Sequence, residues 1–231
     1  MPQAKLFRWR TGSGWLVLSG GGSFETEDVQ SIEASILGHT LSQGPLAYIW
    51  AASDIESADR HMDSLRDLGS RTGYLVDIIS EEDDLLFRQL TEAGLIIVGD
   101  GAQRDMLRQG LIGTAIRGIE DAFSRGATVY AVGQSAALFG AYLLESETMV
   151  AGFNWLAHSF ILPGYTADQS PYLRDCVQKT EHGYGLGLGQ VAALAFGPRS
   201  EVEVWGNAAA ITVSLGPAFD PTPKKALKRS E

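Results

Sequence analysis

The stretch TVYAVGQSAALFGAYLL, residues 128–144, decides how this chain is read. An apolar run turns at Gly133-Gln134-Ser135-Ala136 and resumes as a helix-like run of small and apolar residues. Two readings fit a serine at that corner. A nucleophile on a tight strand-to-helix turn needs small neighbours, here Ala136, Ala137, Gly140 and Ala141. The N–H groups that follow it can then bind an oxyanion. A helix N-cap asks less: a serine oxygen in reach of the first free N–H groups. The segment alone supports both.

Outward from the corner the pattern repeats. GWLVLSGGG is a strand meeting a glycine turn, and the segment after it carries Val29, Ile32 and Ile36 at helical spacing. PLAYIWAAS reads as a strand, and ESADRHMDSLRDLGS as a helix stopping at Gly69. GYLVDIIS, EEDDLLFRQLTEA and GLIIVGDG repeat the alternation, and segment 103–125 sets Leu107, Leu111, Ala115, Ile119 and Phe123 along one helical face. Continuous apolar strands between amphipathic helices predict a mostly parallel sheet covered on both sides, hence a three-layer α/β sandwich. From Gly152 onward the runs shorten, as in GQVAALAF and EVEVWG, and are expected to complete the same sheet as hairpin or edge strands. One α/β domain over 1–219 is expected, with a basic, frayed tail over 220–231 that includes Lys224, Lys225, Lys228 and Arg229.

Composition removes several function classes. At 231 residues and 45% apolar, the chain can bury a sizeable core. A net charge of −10 argues against nucleic acid and against an anionic membrane surface. No stretch approaches the roughly 20 apolar residues of a membrane span. The start MPQAKLFRWRTGSG lacks a signal-peptide core, and the single Cys176 fits a reducing compartment, so a cytoplasmic protein is expected. The four histidines are scattered without HxxxH or CxxC spacing, so no metal is implied. His39 and His61 lie on helices and read as surface residues. EEDD at 81–84 reads as a helix N-terminus. SGGGSFETED and GLGLG lack GxGxxG and GK[ST] spacing, and Glu25, Glu27 and Asp28 would repel a phosphate. No cofactor is implied.

Taken in order, LVLSGGG, IIVGDGAQRDML, AVGQSAALFGA, GFNWL and GLGLGQVAALAF resemble the blocks of the cyanophycinase and aspartyl-dipeptidase family of serine peptidases. Those blocks read approximately GGG, GGDQxxL, GxSAGA, GLGLL, D/NxHF and GIGIDExTAL, and the likeness spans nearly the whole chain. The resemblance implies a class I glutamine-amidotransferase-like (flavodoxin-like) fold and hydrolysis of a small peptide or amide. It implies Ser135 as nucleophile, Gln103 in a loop lining the site beside Gln134, and the N–H groups of Gly101 and Ala136 as the oxyanion hole.

The departures bear on activity. Tyr165 stands where the family has its histidine, and Gln190 stands where it has its acid. GxSAGA has become GQSAAL, and the acid-reading arginines are reduced to Arg174. A serine hydroxyl needs a neighbouring base at neutral pH. His158 is the first candidate for that base, and His182 beside Glu181 the second. Trp155 could line a pocket beside the corner. Two functions remain: a serine hydrolase working through Ser135 and His158, or an inactive relative kept for binding or assembly. A cysteine-dependent amidotransferase is set aside, because the corner holds serine. The partner expected is a small peptide or amide, and a homo-oligomer is left open.

Overall fold

In the computed structural model, residues 6–145, 147–180 and 182–219 are described; Glu181 and the basic segment 220–231 lie outside the described residues. Five short parallel strands form the centre: β1 (Leu16–Ser19), β2 (Leu46–Ile49), β3 (Gly73–Val76), β4 (Leu95–Val98) and β5 (Thr128–Ala131). Around them stand α1 (Glu27–His39), α2 (Ile55–Asp67), α3 (Asp83–Glu92), α4 (Arg104–Leu111) and α5 (Thr114–Ser124). LVLS, LAYI, LIIV and TVYA are buried at every position, which is why they read as continuous apolar runs. Helix α2 begins where Asp54 Oδ1 accepts the Ser57 N–H at 2.7 Å. It ends at the predicted Gly69, whose φ of +96° reverses the chain.

Strand order places the helices. The sheet runs β11-β10-β1-β5-β4-β2-β3, so the chain moves one way from β1 through β2 to β3 and returns through β4 to β5. Right-handed crossovers therefore put α1 and α2 on one face and α3–α5 on the other. The core follows this division. Val17, Ile97 and Tyr130 pack with Ile32 of α1 and Leu65 of α2, while Leu16, Ile96 and Val98 pack with Leu90, Leu107 and Ile119. The fold is a mixed α/β sandwich with a mostly parallel central sheet, as the alternation predicted.

Three expectations need correction. Segment 103–125 is two helices, broken where Gly113 takes φ +101°. The run after Ser135 is a short 3-10 helix, Gly133–Phe139, that passes directly into strand β6 (Gly140–Glu145). Small residues permitted the helix reading, but the alternation of Tyr142, Leu143 and Leu144 serves a sheet.

The final third also does not complete one sheet. β10 (Ala192–Phe196) and β11 (Val202–Gly206) extend the central sheet antiparallel. β7 (Thr148–Ala151), β8 (Leu156–Pro163), β9 (Tyr184–Leu188) and β12 (Ile211–Leu215) join β6 in a second sheet ordered β12-β9-β8-β6-β7. Trp155 and Leu186 from this part bury against the face that carries α5. Helix α6 (Ser170–Gln178) covers the second sheet with Leu173 and Cys176.

Candidate functional site

Loops leaving β1, β2, β4 and β5 meet at the carboxyl edge of the central sheet, the usual place for ligands in open α/β sheets. The sharp turn there is at Gly133, with φ +56°, a conformation only glycine adopts without strain. Gly21, from the loop after β1, packs so closely that a Cβ would stand 3.2 Å from Gly133 Cα and 3.3 Å from Asp100 Oδ2. A Cβ on Gly133 itself would lie 2.1 Å from Asp100 Oδ2. The Asp100 carboxylate thus occupies the space that a side chain at the corner would need.

That carboxylate is held by the backbone. Gly101 N–H and Gln134 N–H both donate to Asp100 Oδ1, each at 2.8 Å. Two N–H groups converging on one oxygen form an anion site, and here an internal carboxylate fills it. The expected pair was Gly101 with Ala136. Gly101 takes part, but Ala136 is fully buried within the 3-10 helix and Gln134 supplies the second donor. The two-residue offset follows from the corner falling at Gly133 instead of at the serine.

Ser135 is fully buried, and its hydroxyl is directed at the carbonyls of Val98 (2.7 Å) and Val132 (2.8 Å). One hydroxyl carries one proton, so in this arrangement it is committed to the backbone. His158 is exposed at φ +63°, near the start of β8, and its ring meets Phe219 at 6.5 Å. Five extended residues, about 17 Å, separate it from the end of β8. Among the described residues no hydrogen bond joins His158 to Ser135. His182 donates its Nδ1–H to Ala218 O at 3.2 Å, an exposed contact that fixes this tautomer.

The remaining predicted residues divide by location. Gln103 is exposed at the start of α4, with its N–H on Ala52 O at 3.1 Å. Gln190 is exposed in the turn before β10, next to Val191, whose N–H reaches Gly21 O at 3.0 Å. Tyr165 follows Gly164, whose N–H donates to Gly20 O at 3.0 Å, so its backbone borders the same edge. Its ring, however, is buried with Phe160, Leu173 and Cys176. Trp155 is fully buried, edge-on to Phe139 and tilted against Phe123, and so presents no surface at the corner.

A second constellation lies beside the corner. Glu33 of α1 is 0% exposed and accepts or shares a proton with His61 Nε2 at 2.6 Å. His61 of α2 is 4% exposed, and its Nδ1 lies 2.9 Å from the Tyr48 hydroxyl. Phe24 stacks on the imidazole at 4.6 Å with planes 8° apart. The surface reading of His61 is therefore corrected. Its helix turns that position inward with Ala58, Met62 and Leu65. Burial, then Glu33 and Asp100, push the Tyr48 phenol well above its ordinary value, so it stays protonated across the neutral range.

A cavity of about 210 Å³ opens between this cluster and Asp100, bounded also by Ser23, Phe24, Ser53 and Val132. Sequence reading missed Asp100, Glu33, His61 and Tyr48. The available signals were an acid directly after a buried strand and charged residues set within apolar helical stripes. Among the described residues no group of three His, Cys, Asp or Glu is placed to hold a metal, and no helix is long and apolar enough to cross a membrane.

No protein-family model matches this chain, and no curated protein sequence does. Solved structures do. A peptidase from an acI-B1 Actinobacterium superposes with a TM-score of 0.70 at 17% identity, covering 93% of this chain and 95% of that one. A protein assigned to peptidase E from Listeria monocytogenes EGD-e gives 0.61 at 19% identity, covering 84% and 99%. The likeness extends over nearly the full length of each, and at these identities it establishes a shared peptidase-type fold.

Proposed function

We propose that this chain is a divergent relative of the peptidase E and cyanophycinase group that binds a small peptide or amide without cleaving it through Ser135. The observation that carries this reading is the corner itself. The residue at the left-handed turn is Gly133, which has no side chain, and Asp100 fills both the space beside it and the two N–H donors. An acyl-transfer centre needs those donors open for a developing oxyanion and a hydroxyl within reach of a base. Ser135 points instead at two carbonyls, and the Tyr165 and Gln190 replacements offer neither a base nor an acid of the ordinary kind.

The test is labelling of the purified chain with a fluorophosphonate, beside Ser135→Ala and His158→Ala, together with hydrolysis of a panel of small peptides and amides. The expected result is no covalent adduct by intact mass and no turnover. An adduct that disappears in both variants would establish the competing reading, an active serine hydrolase with His158 as its base.

A further inference from the structure

The cavity between Asp100 and Tyr48 has a definite polarity. Asp100 Oδ1 is used by two backbone N–H groups, leaving Oδ2, beside Gly21 and Gly133, as the free acceptor of a residue that lines the cavity. Tyr48 lines the same space. A neutral His61 imidazole that donates Nε2–H to Glu33 accepts the Tyr48 O–H at Nδ1, and Tyr48 then offers the cavity only lone pairs. The permanent charges here are carboxylates, Asp100 on the wall and Glu33 behind His61. No lysine or arginine is among the residues bounding the space. Arg60 lies outside, over the Phe24 ring at 6.0 Å, where Glu25 pairs with it at 3.6 Å.

The N-terminus of α2 would by itself favour an anion. Its Ser57 N–H is already taken by Asp54, and Glu56 adds another acid to the first turn. The chain's net charge of −10 also favours the approach of cations.

We infer that this cavity is a binding site for a small organic cation, whose ammonium sits between Asp100 Oδ2 and Tyr48 Oη. The inference rests on the ligand-binding reading above and gives it a ligand class. The Glu33–His61 pair positions Tyr48: by accepting the hydrogen bond of its O–H, it leaves the oxygen lone pairs for the ligand. At about 210 Å³ the space holds roughly seven waters at about 30 Å³ each. A ligand of about eight to ten non-hydrogen atoms fits.

Three probes of nearly one shape separate charge from size: benzylammonium, benzyl alcohol and benzoate, titrated into the full chain at pH 7.5 and followed by amide NMR shifts. Benzylammonium is expected to move the amides of Gly22, Ser23, Ser53 and Ser57, with an affinity at least tenfold above either other probe. Asp100→Asn keeps an oxygen for the Gly101 and Gln134 N–H groups while removing the charge. It should weaken benzylammonium at least fivefold. Tyr48→Phe should weaken it by a smaller factor, and Asp83→Asn, at the distant start of α3, should leave it unchanged.

Benzoate binding as tightly as benzylammonium, or undiminished ammonium binding in Asp100→Asn, overturns the proposal. So does the absence of shifts at these amides with all three probes. Fluorophosphonate labelling is a separate readout. An adduct on Ser135 with ammonium binding intact defeats the non-hydrolytic reading and leaves the cavity assignment standing; no adduct and no ammonium binding does the reverse.

Discussion

Replacing Gly133 by alanine tests whether Asp100 occupies the corner. Alanine in the left-handed region costs about 1–2 kcal/mol. Its Cβ would also stand 2.1–2.4 Å from three atoms of the Asp100 carboxyl group, so the carboxylate must leave. Leaving breaks two charge-assisted hydrogen bonds from Gly101 and Gln134. Each is worth about 1.5–3 kcal/mol, and the lower end applies because Asp100 and Gln134 are exposed to water. Gly133→Ala should therefore cost about 4.5 kcal/mol, being about 1.5 for the backbone and about 3 for the lost bonds.

Asp100→Ala alone loses the same two bonds, about 3 kcal/mol. In the double variant the bonds are already gone and only backbone strain is added, so the total is again about 4.5 rather than about 7.5 kcal/mol. The coupling is about 3 kcal/mol, well beyond the roughly 0.5 kcal/mol within which independent sites add. Urea unfolding of the four proteins measures it, with intrinsic fluorescence and circular dichroism checking for a single transition. Additive costs would show that the carboxylate does not fill the corner, and the argument for an occupied anion site would fail with it.

Two further outcomes follow from buried groups. Removing the partner of the buried Glu33 carboxylate, as in His61→Ala, should cost about 3–5 kcal/mol, because that charge is left uncompensated in the interior; a loss under about 1 kcal/mol in urea melts would mean the pair is solvated. Burial raises the phenols of Tyr48, Tyr130 and Tyr184 above their unfolded value near 10, with Glu33 adding to the first two. These groups keep their protons in the folded state and lose them in the unfolded one, so their contribution is whole below pH 10 and is lost as pH rises above it. Stability should fall by up to about 4 kcal/mol per pH unit there, about 1.36 for each tyrosine. Urea midpoints between pH 9 and 11.5 check the slope, and a flat profile refutes it.

The sequence and the structure agree wherever burial alone sets the residue type. LVLS, LAYI, LIIV and TVYA had to be apolar on both faces, so the central sheet was readable without coordinates. The second sheet was not, since ITVSL and TMVA are half-exposed and their partners are fixed only by which edge lies nearby. The corner was misread for a different reason. Matching by residue identity anchors on Ser135, the only hydroxyl there, whereas the backbone turns where a residue tolerates positive φ, and that residue is Gly133.

Glu33 and His61 show the remaining limit. Each shares an apolar helical stripe, Glu33 with Val29, Ile32 and Ile36, and His61 with Ala58, Met62 and Leu65. A charged residue on such a stripe demands a partner, and that much is local. Which partner depends on α1 and α2 lying on the same face, a consequence of β2 and β3 continuing in one direction before the chain turns back through β4. That reversal also brings Asp100 opposite Tyr48. Strand order, which no single segment encodes, therefore places the acid, the phenol and the buried pair around one cavity.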